Sequence, residues 1–176
     1  GYGEGFDLEA APTRLQALIM FIRVLGEEEQ ALTWSGTTPF KDIEKGSQAE
    51  HYVGYAYEKG YTNGYTATSF KPAGAVNAYQ YTEFVLRAMG YSSAANKDLS
   101  DTLLRAVNAG VLTDGDAAML QSAAFLRAQL VYISYYALEA DLPDGSQSLA
   151  DRLMDLGVFT RDEWLGSWKL VKSERL

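Results

Sequence analysis

Gly5-Phe6-Asp7-Leu8-Glu9-Ala10-Ala11-Pro12-Thr13-Arg14-Leu15-Gln16 lines up without gaps on Ser69-Phe70-Lys71-Pro72-Ala73-Gly74-Ala75-Val76-Asn77-Ala78-Tyr79-Gln80, and this internal repetition decides the fold. The match continues downstream, where Phe21-Ile22-Arg23-Val24-Leu25-Gly26 falls on Val85-Leu86-Arg87-Ala88-Met89-Gly90. A weaker third copy is Phe125-Leu126-Arg127-Ala128-Gln129, followed by Leu130-Val131-Tyr132-Ile133. Between the copies lies a different segment, a short apolar helix pattern closed by glycine. It runs from Val53 to Gly64, from Leu103 to Gly115 and from Leu149 to Thr160, with closing glycines Gly60, Gly110 and Gly157.

The two kinds of segment alternate, and the chain opens on the second half of a unit and closes on the first half of another. One reading is ring closure around a pseudo-threefold axis, with a helix from Ser148 to Leu156 filling the place of a missing first helix. The other is that residues upstream of Gly1 supply that helix. The expected organisation is a single domain over 1–176. It divides into the second half of repeat 1 (1–39), repeat 2 (40–95), repeat 3 (96–141), and a closing helix with a tail (142–176).

From Thr13 the apolar residues Leu15, Leu18, Ile19 and Ile22 recur at helical spacing, and Gly26 ends the pattern. Thr13 with Gln16 reads as a capping box, in which each side chain satisfies the other residue's orphan backbone N–H, and Asn77 with Gln80 repeats it. The third copy has Leu126 at the cap position, so its helix is predicted to begin earlier, near Ser122. Glycines after the first-half helices signal a left-handed residue at the helix exit. Asn63-Gly64 and Asp114-Gly115 read as turns, and Phe70 followed by Pro72 as an apolar plug with a helix-entry turn. The fold class is therefore mainly α, with helix–loop–helix repeats around a central bundle and short extended pairs in the loops.

Composition narrows the chemistry. The 176 residues are 47% hydrophobic and 22% charged, enough to bury a core. A net charge of -8 argues against nonspecific binding to nucleic acid or anionic membranes. No apolar run is long enough for membrane insertion, and Gly1-Tyr2-Gly3-Glu4-Gly5 lacks a signal-peptide pattern. There is no cysteine and one histidine, His51, so metal, cofactor and nucleophile chemistry lose their usual groups. Glu27-Glu28-Glu29 reads as a solvated helix end rather than an acid/base pair, and no enzyme is expected. The 12 tyrosines suit core packing first and sugar stacking second.

Phe40-Lys41-Asp42, the Gly60-to-Gly64 turn, Phe70-Lys71-Pro72 and the Thr13-Arg14-Leu15-Gln16 helix start together resemble the S-layer homology repeat. That resemblance covers roughly Gly5 to Trp164. It implies a three-pronged, extracellular, Gram-positive surface module that binds secondary cell-wall polysaccharide, often pyruvylated, and so anchors the remainder of a larger surface protein noncovalently at the cell wall or S-layer. The family's Thr-Arg-Ala-Glu motif puts an arginine in a groove between prongs. Here the motif keeps Arg14 and Arg127 but has Ala78 in the middle copy, and glutamines Gln16, Gln80 and Gln129 replace its glutamate. An arginine beside a helix N-terminus suits a carboxylate ligand.

The candidate glycan-binding residues are accordingly Arg14, Arg127, Asp42, Lys41, Gln16, Gln129, Gly60, Gly64 and Gly110, with Lys97-Asp98 as a weaker match. The bland reading of the arginines is solvated first-turn residues, and that of the glycines is backbone geometry. Arg23 and Arg87 read as structural ties to a loop carbonyl or carboxylate. His51-Tyr52 stands where the repeats usually have tryptophan and reads as an apolar anchor. Trp34 reads as an exposed lid or a core anchor. Trp164, Leu165, Trp168 and Leu170 read as a tail that packs on the bundle or meets the rest of a longer protein. A rival function is a degenerate scaffold or oligomerisation domain without glycan affinity, suggested by Ala78 and the glutamines.

Overall fold

The computed structural model describes residues 7–94 and 98–171, the last four of these by their backbone alone. Gly5, Phe6, Lys97, the 95/96 boundary and the side chains of Trp168 and Leu170 lie outside the described residues. The described chain is mainly helical: α1 (Arg14–Val24), α2 (Glu28–Leu32), α3 (Gln48–Glu58), α4 (Ala78–Met89), α5 (Thr102–Asn108), α6 (Asp114–Ser122), α7 (Arg127–Glu139), α8 (Leu149–Asp155) and α9 (Arg161–Val171). Extended pairing among the described residues is limited to isolated bridges, Thr13 with Ala75, Thr66 with Ser69 and Asp141 with Ser148.

α1, α4 and α7 contact one another pairwise and form the centre. They meet at Tyr81, which is fully buried. Phe21 of α1 stands edge-on to its ring at 6.1 Å, and Phe125, just before α7, lies 6.0 Å away. Ser134 gives its own hydroxyl proton to the Leu130 carbonyl, 2.7 Å away, and so accepts from the Tyr81 hydroxyl. A polar pair buried here is fully satisfied, which fixes the register of α4 against α7.

Each central helix carries an outer one, α3 on α1, α5 on α4 and α8 on α7. All three outer helices end alike. The N–H after the closing glycine reaches back across the last turn, Tyr61 to Ala56 (2.8 Å), Val111 to Ala106 (3.0 Å) and Val158 to Leu153 (2.9 Å). The glycines have φ of +77°, +79° and +75°, the left-handed conformation that glycine adopts without steric cost. The turn after α8 comes back to the exit of α1, where a Cβ placed on Gly26 would lie 2.6 Å from Val158 Cγ1.

Two local expectations are corrected. α7 starts at Arg127, not near Ser122, because Gln129 Oε1 accepts from the Leu126 N–H at 2.9 Å and supplies half a capping box without a hydroxyl. Ser122 instead ends α6, its hydroxyl bonded to the Met119 carbonyl. Asp114-Gly115 is not a turn but the first two residues of α6. Thr113 Oγ1 accepts from Asp116 N–H at 3.1 Å and Asp116 Oδ2 from Thr113 N–H at 2.8 Å, a reciprocal cap that starts a helix.

Candidate functional site

A cleft of about 930 Å³ opens beside α4. One part of its lining is the turn after α3, with Tyr61, Asn63, Gly64 and Tyr65, together with Tyr57 of α3 itself. The N-terminal half of α4 adds Tyr79, Gln80, Glu83 and Phe84, and the segment after α4 adds Ser93, Ala94, Asp98 and Leu99. Arg14 also lines it, reaching in from the start of α1. The cleft thus adjoins the copy of the motif that lost its own arginine, Asn77-Ala78-Tyr79-Gln80, while Ala78 is itself buried.

Arg14 is placed by backbone pairing. Its N–H donates to the Gly74 carbonyl at 2.8 Å, and Val76 N–H donates to the Pro12 carbonyl at 3.1 Å, which ties the start of α1 to the segment entering α4. The residue is 3% exposed, far from a solvated first-turn arginine. Its Nε donates to the Phe70 carbonyl at 2.7 Å, and its guanidinium carbon lies 4.9 Å from the Phe70 ring, 5.6 Å from Phe84 and 5.7 Å from Tyr65. Among the described residues no carboxylate stands within ion-pair distance of it. Desolvation lowers its pKa, opposed by the charges of Tyr65 and Asp42. An aromatic-walled cation of this kind is weakly hydrated and suited to an anionic or hydroxyl-rich ligand.

Asp42 acts one step behind. Its Oδ1 accepts from Phe70 N–H at 2.9 Å and its Oδ2 from Lys71 N–H at 2.8 Å. Burial pushes its carboxyl up, but these N–H groups and Arg14 outweigh that and hold it below the ordinary range. The clamp holds Lys71 at φ +55°, a conformation that side-chain-bearing residues rarely adopt, and Lys71 Nζ then sits 3.9 Å from the Tyr65 ring centroid. Asp42 therefore fixes the turn whose Phe70 carbonyl holds Arg14. Lys41 is exposed, and its backbone N–H pairs with the Thr68 carbonyl.

The other candidates divide. Gly64 (φ +86°) lines the cleft, and a Cβ there would meet the Phe40 ring at 2.3 Å. Gly60 and Gly110 are left-handed helix exits with open space around them. Arg127 is half-buried, and its Nη2 reaches Gln16 Oε1 at 3.5 Å, joining the starts of α7 and α1 away from the main cleft. Gln16 and Gln129 use their amide oxygens to cap their own helices. Asp98 borders the cleft and accepts from Ser100 N–H.

Several residues were not singled out by sequence. Glu83 is a buried carboxylate that accepts from Arg87, Ala94, Arg105 and Thr102. Glu27 and Glu28 do stand at a helix end, the start of α2, where they are partly exposed and also bonded. Glu28 accepts from Tyr52 and pairs with Arg23 at 2.7 Å, while Glu27 accepts from Tyr55 at 2.9 Å and Tyr61 at 2.6 Å. Burial and then Glu27 push both the Tyr55 and Tyr61 phenols up, keeping them neutral donors. Arg23 and Arg87 are thus the structural ties the sequence suggests. Tyr52 is the buried anchor, whereas half-buried His51 donates Nδ1–H to the Trp34 carbonyl at 2.6 Å. Trp34 covers Gly54 of α3 and donates to Glu58. Trp164 stacks on Tyr135 at 5.2 Å, docking α9 on α7, and Leu165 is exposed.

Residues 39–77, which hold the Asp42 clamp, the turn and Phe70, match the S-layer homology domain, a module of cell-surface anchoring rather than a catalytic family. The matched stretch supplies the turn that lines the cleft. A "Cell surface protein" of Thermoanaerobacter kivui is 24% identical over 209 residues, which take in 97% of this chain and 27% of that protein. No solved structure gives a significant match. No described helix is long and apolar enough to cross a membrane.

Proposed function

We propose that the chain anchors a larger surface protein noncovalently to the cell wall of a Gram-positive cell by holding secondary cell-wall polysaccharide in the cleft beside α4. The observation that carries this reading is Arg14: a cation without an acid partner among the described residues, walled by aromatic rings, on the lining of the 930 Å³ cleft. Exposed Tyr65 and Tyr57 offer ring faces to sugars, and Asn63 and Gln80 offer amides to hydroxyls. An acidic substituent, such as a pyruvyl ketal, is the group an arginine fork would select. The pairwise contacts of α1, α4 and α7, with α8 returning to the exit of α1, support the second half of a first repeat over 1–39, full repeats over 40–95 and 96–141, and a helix and tail over 142–176 that complete the ring. Arg127 and Gln16, which meet where α7 and α1 start, are a second candidate contact for the polysaccharide.

Co-sedimentation with purified Gram-positive walls, before and after acid extraction of their secondary polysaccharide, tests the reading. Retention that disappears on extraction is expected, and Arg14→Lys, which keeps charge but loses the Nε bond to Phe70, is expected to weaken it by about ten- to a hundredfold (~1.5–3 kcal/mol). Arg127→Ala should weaken retention less. A folded chain that ignores walls from several hosts would favour the scaffold reading instead.

A further inference from the structure

One of the positions at which α4 departs from its two central neighbours carries a buried acid. Counted from the helix starts Arg14, Ala78 and Arg127, Glu83 stands where α1 has Ile19 and α7 has Tyr132. It is 3% exposed and borders the cleft. An acid buried here must be fully paired to be tolerated, and it is. Oε1 accepts from Arg87 Nε (2.9 Å) and Ala94 N–H (2.8 Å), and Oε2 from Arg105 Nη1 (2.6 Å) and the Thr102 hydroxyl (3.1 Å). Arg105 also donates to the Ser92 carbonyl. The segment after α4 is thus held at Ala94 by Glu83 itself, and at Ser92 by an arginine that Glu83 fixes. The same carboxylate holds α5 through Thr102 and Arg105.

We propose that Glu83 is a positioning residue for ligand binding: it latches the Ser92–Ala94 segment to α4 and α5 and so shapes one wall of the cleft. This rests on the reading of the cleft as a glycan site. Glu83 acts through the wall, since its oxygens are taken up by four donors. The equivalent positions in α1 and α7 have no acid, so this latch belongs to the α4 cleft.

Hydrogen exchange and wall co-sedimentation together test it, on the whole chain and on Glu83→Gln. The amide of Ala94 is expected to exchange at least tenfold faster in the variant, with wall retention falling in step, while Tyr81, Leu86 and Ile133 exchange at the wild-type rate. Unchanged exchange at Ala94, or faster exchange spread evenly through α4, would overturn the latch. If Glu83→Gln does not fold, Arg105→Lys, which releases Ser92, carries the same expectation for residues 92–94. If the wild-type chain ignores walls, the glycan reading fails, and the exchange pattern still decides whether the latch exists.

Discussion

The stretches 61–76 and 111–126 both follow a glycine-closed helix and both lead into a central helix, yet one is a loop that walls a cleft and the other folds into α6. Each has threonine two residues before a glycine, Thr62-Asn63-Gly64 and Thr113-Asp114-Gly115. In the first, Thr62 Oγ1 accepts from the Gly64 N–H at 3.0 Å, closing a tight turn. In the second, Thr113 accepts from Asp116, one turn of helix further on. The residues downstream of the glycine decide between them. Tyr65, Thr66 and Thr68 are poor helix residues, whereas Asp116 completes the cap and Ala117, Ala118, Met119 and Leu120 propagate the helix. A turn dipeptide is thus read correctly only with its flanks, and the loop outcome is what makes a binding surface here.

Phe70 is where the loop depends on the core, so its loss breaks the comparison most severely. The ring is fully buried, its N–H is held by Asp42, and its carbonyl holds Arg14. Phe70→Ala should cost ~3–5 kcal/mol in urea unfolding and abolish wall binding. Leu120→Ala, in the buried face of α6, should cost ~2–5 kcal/mol yet leave the binding of the folded fraction intact. If both variants lose binding at matched folded fraction, the cleft is not confined to the loop side.

A smaller effect is expected at Gly64. Alanine there must occupy φ +86°, at ~1–2 kcal/mol, and its methyl would meet the Phe40 ring and the Thr66 carbonyl at 2.3 and 2.7 Å, an overpacking that typically adds ~1–3 kcal/mol. Thermal unfolding of Gly64→Ala should therefore show a clear loss. A neutral result would mean that the turn relaxes freely and does not set the cleft's shape.

The helical class, the capping boxes at Thr13 and Asn77, the left-handed exits at Gly60, Gly110 and Gly157 and the buried plug at Phe70 were legible because each is a local signal with one physical meaning. The start of α7 was not, because Leu126 offers no hydroxyl and Gln129 alone does the capping. Arg14 was legible as a special arginine, but its setting was not, since the rings around it come from residues more than fifty positions away. Glu83 left only a faint trace in the sequence as a site. Its partners Ala94, Thr102 and Arg105 come together only when α4 and α5 pack, though a charge at a position that is Ile19 in α1 was a signal to be had. The partners of Glu27 and Glu28 were illegible for the same reason, being tyrosines on α3 and in the turn after it.

The smallest expected effect sharpens the comparison most, because it has the opposite sign at the matching glycine. Gly115 lies inside α6 without a positive φ, and a Cβ there would approach only Thr113 Oγ1, at 3.8 Å. Replacing glycine by alanine in a compatible helical position stabilises by ~0.4–1 kcal/mol, mostly by restricting the unfolded chain. Gly115→Ala should therefore raise Tm by roughly 1–4 °C in a chain of this size. A fall in Tm would mean that residues 114–115 populate the turn that their dipeptide suggests, and that α6 is not a stable alternative to a loop. With the rise at Gly115 and the loss at Gly64 measured in parallel, two glycines in similar local sequences would be separated by their backbone conformation and by what packs beside them.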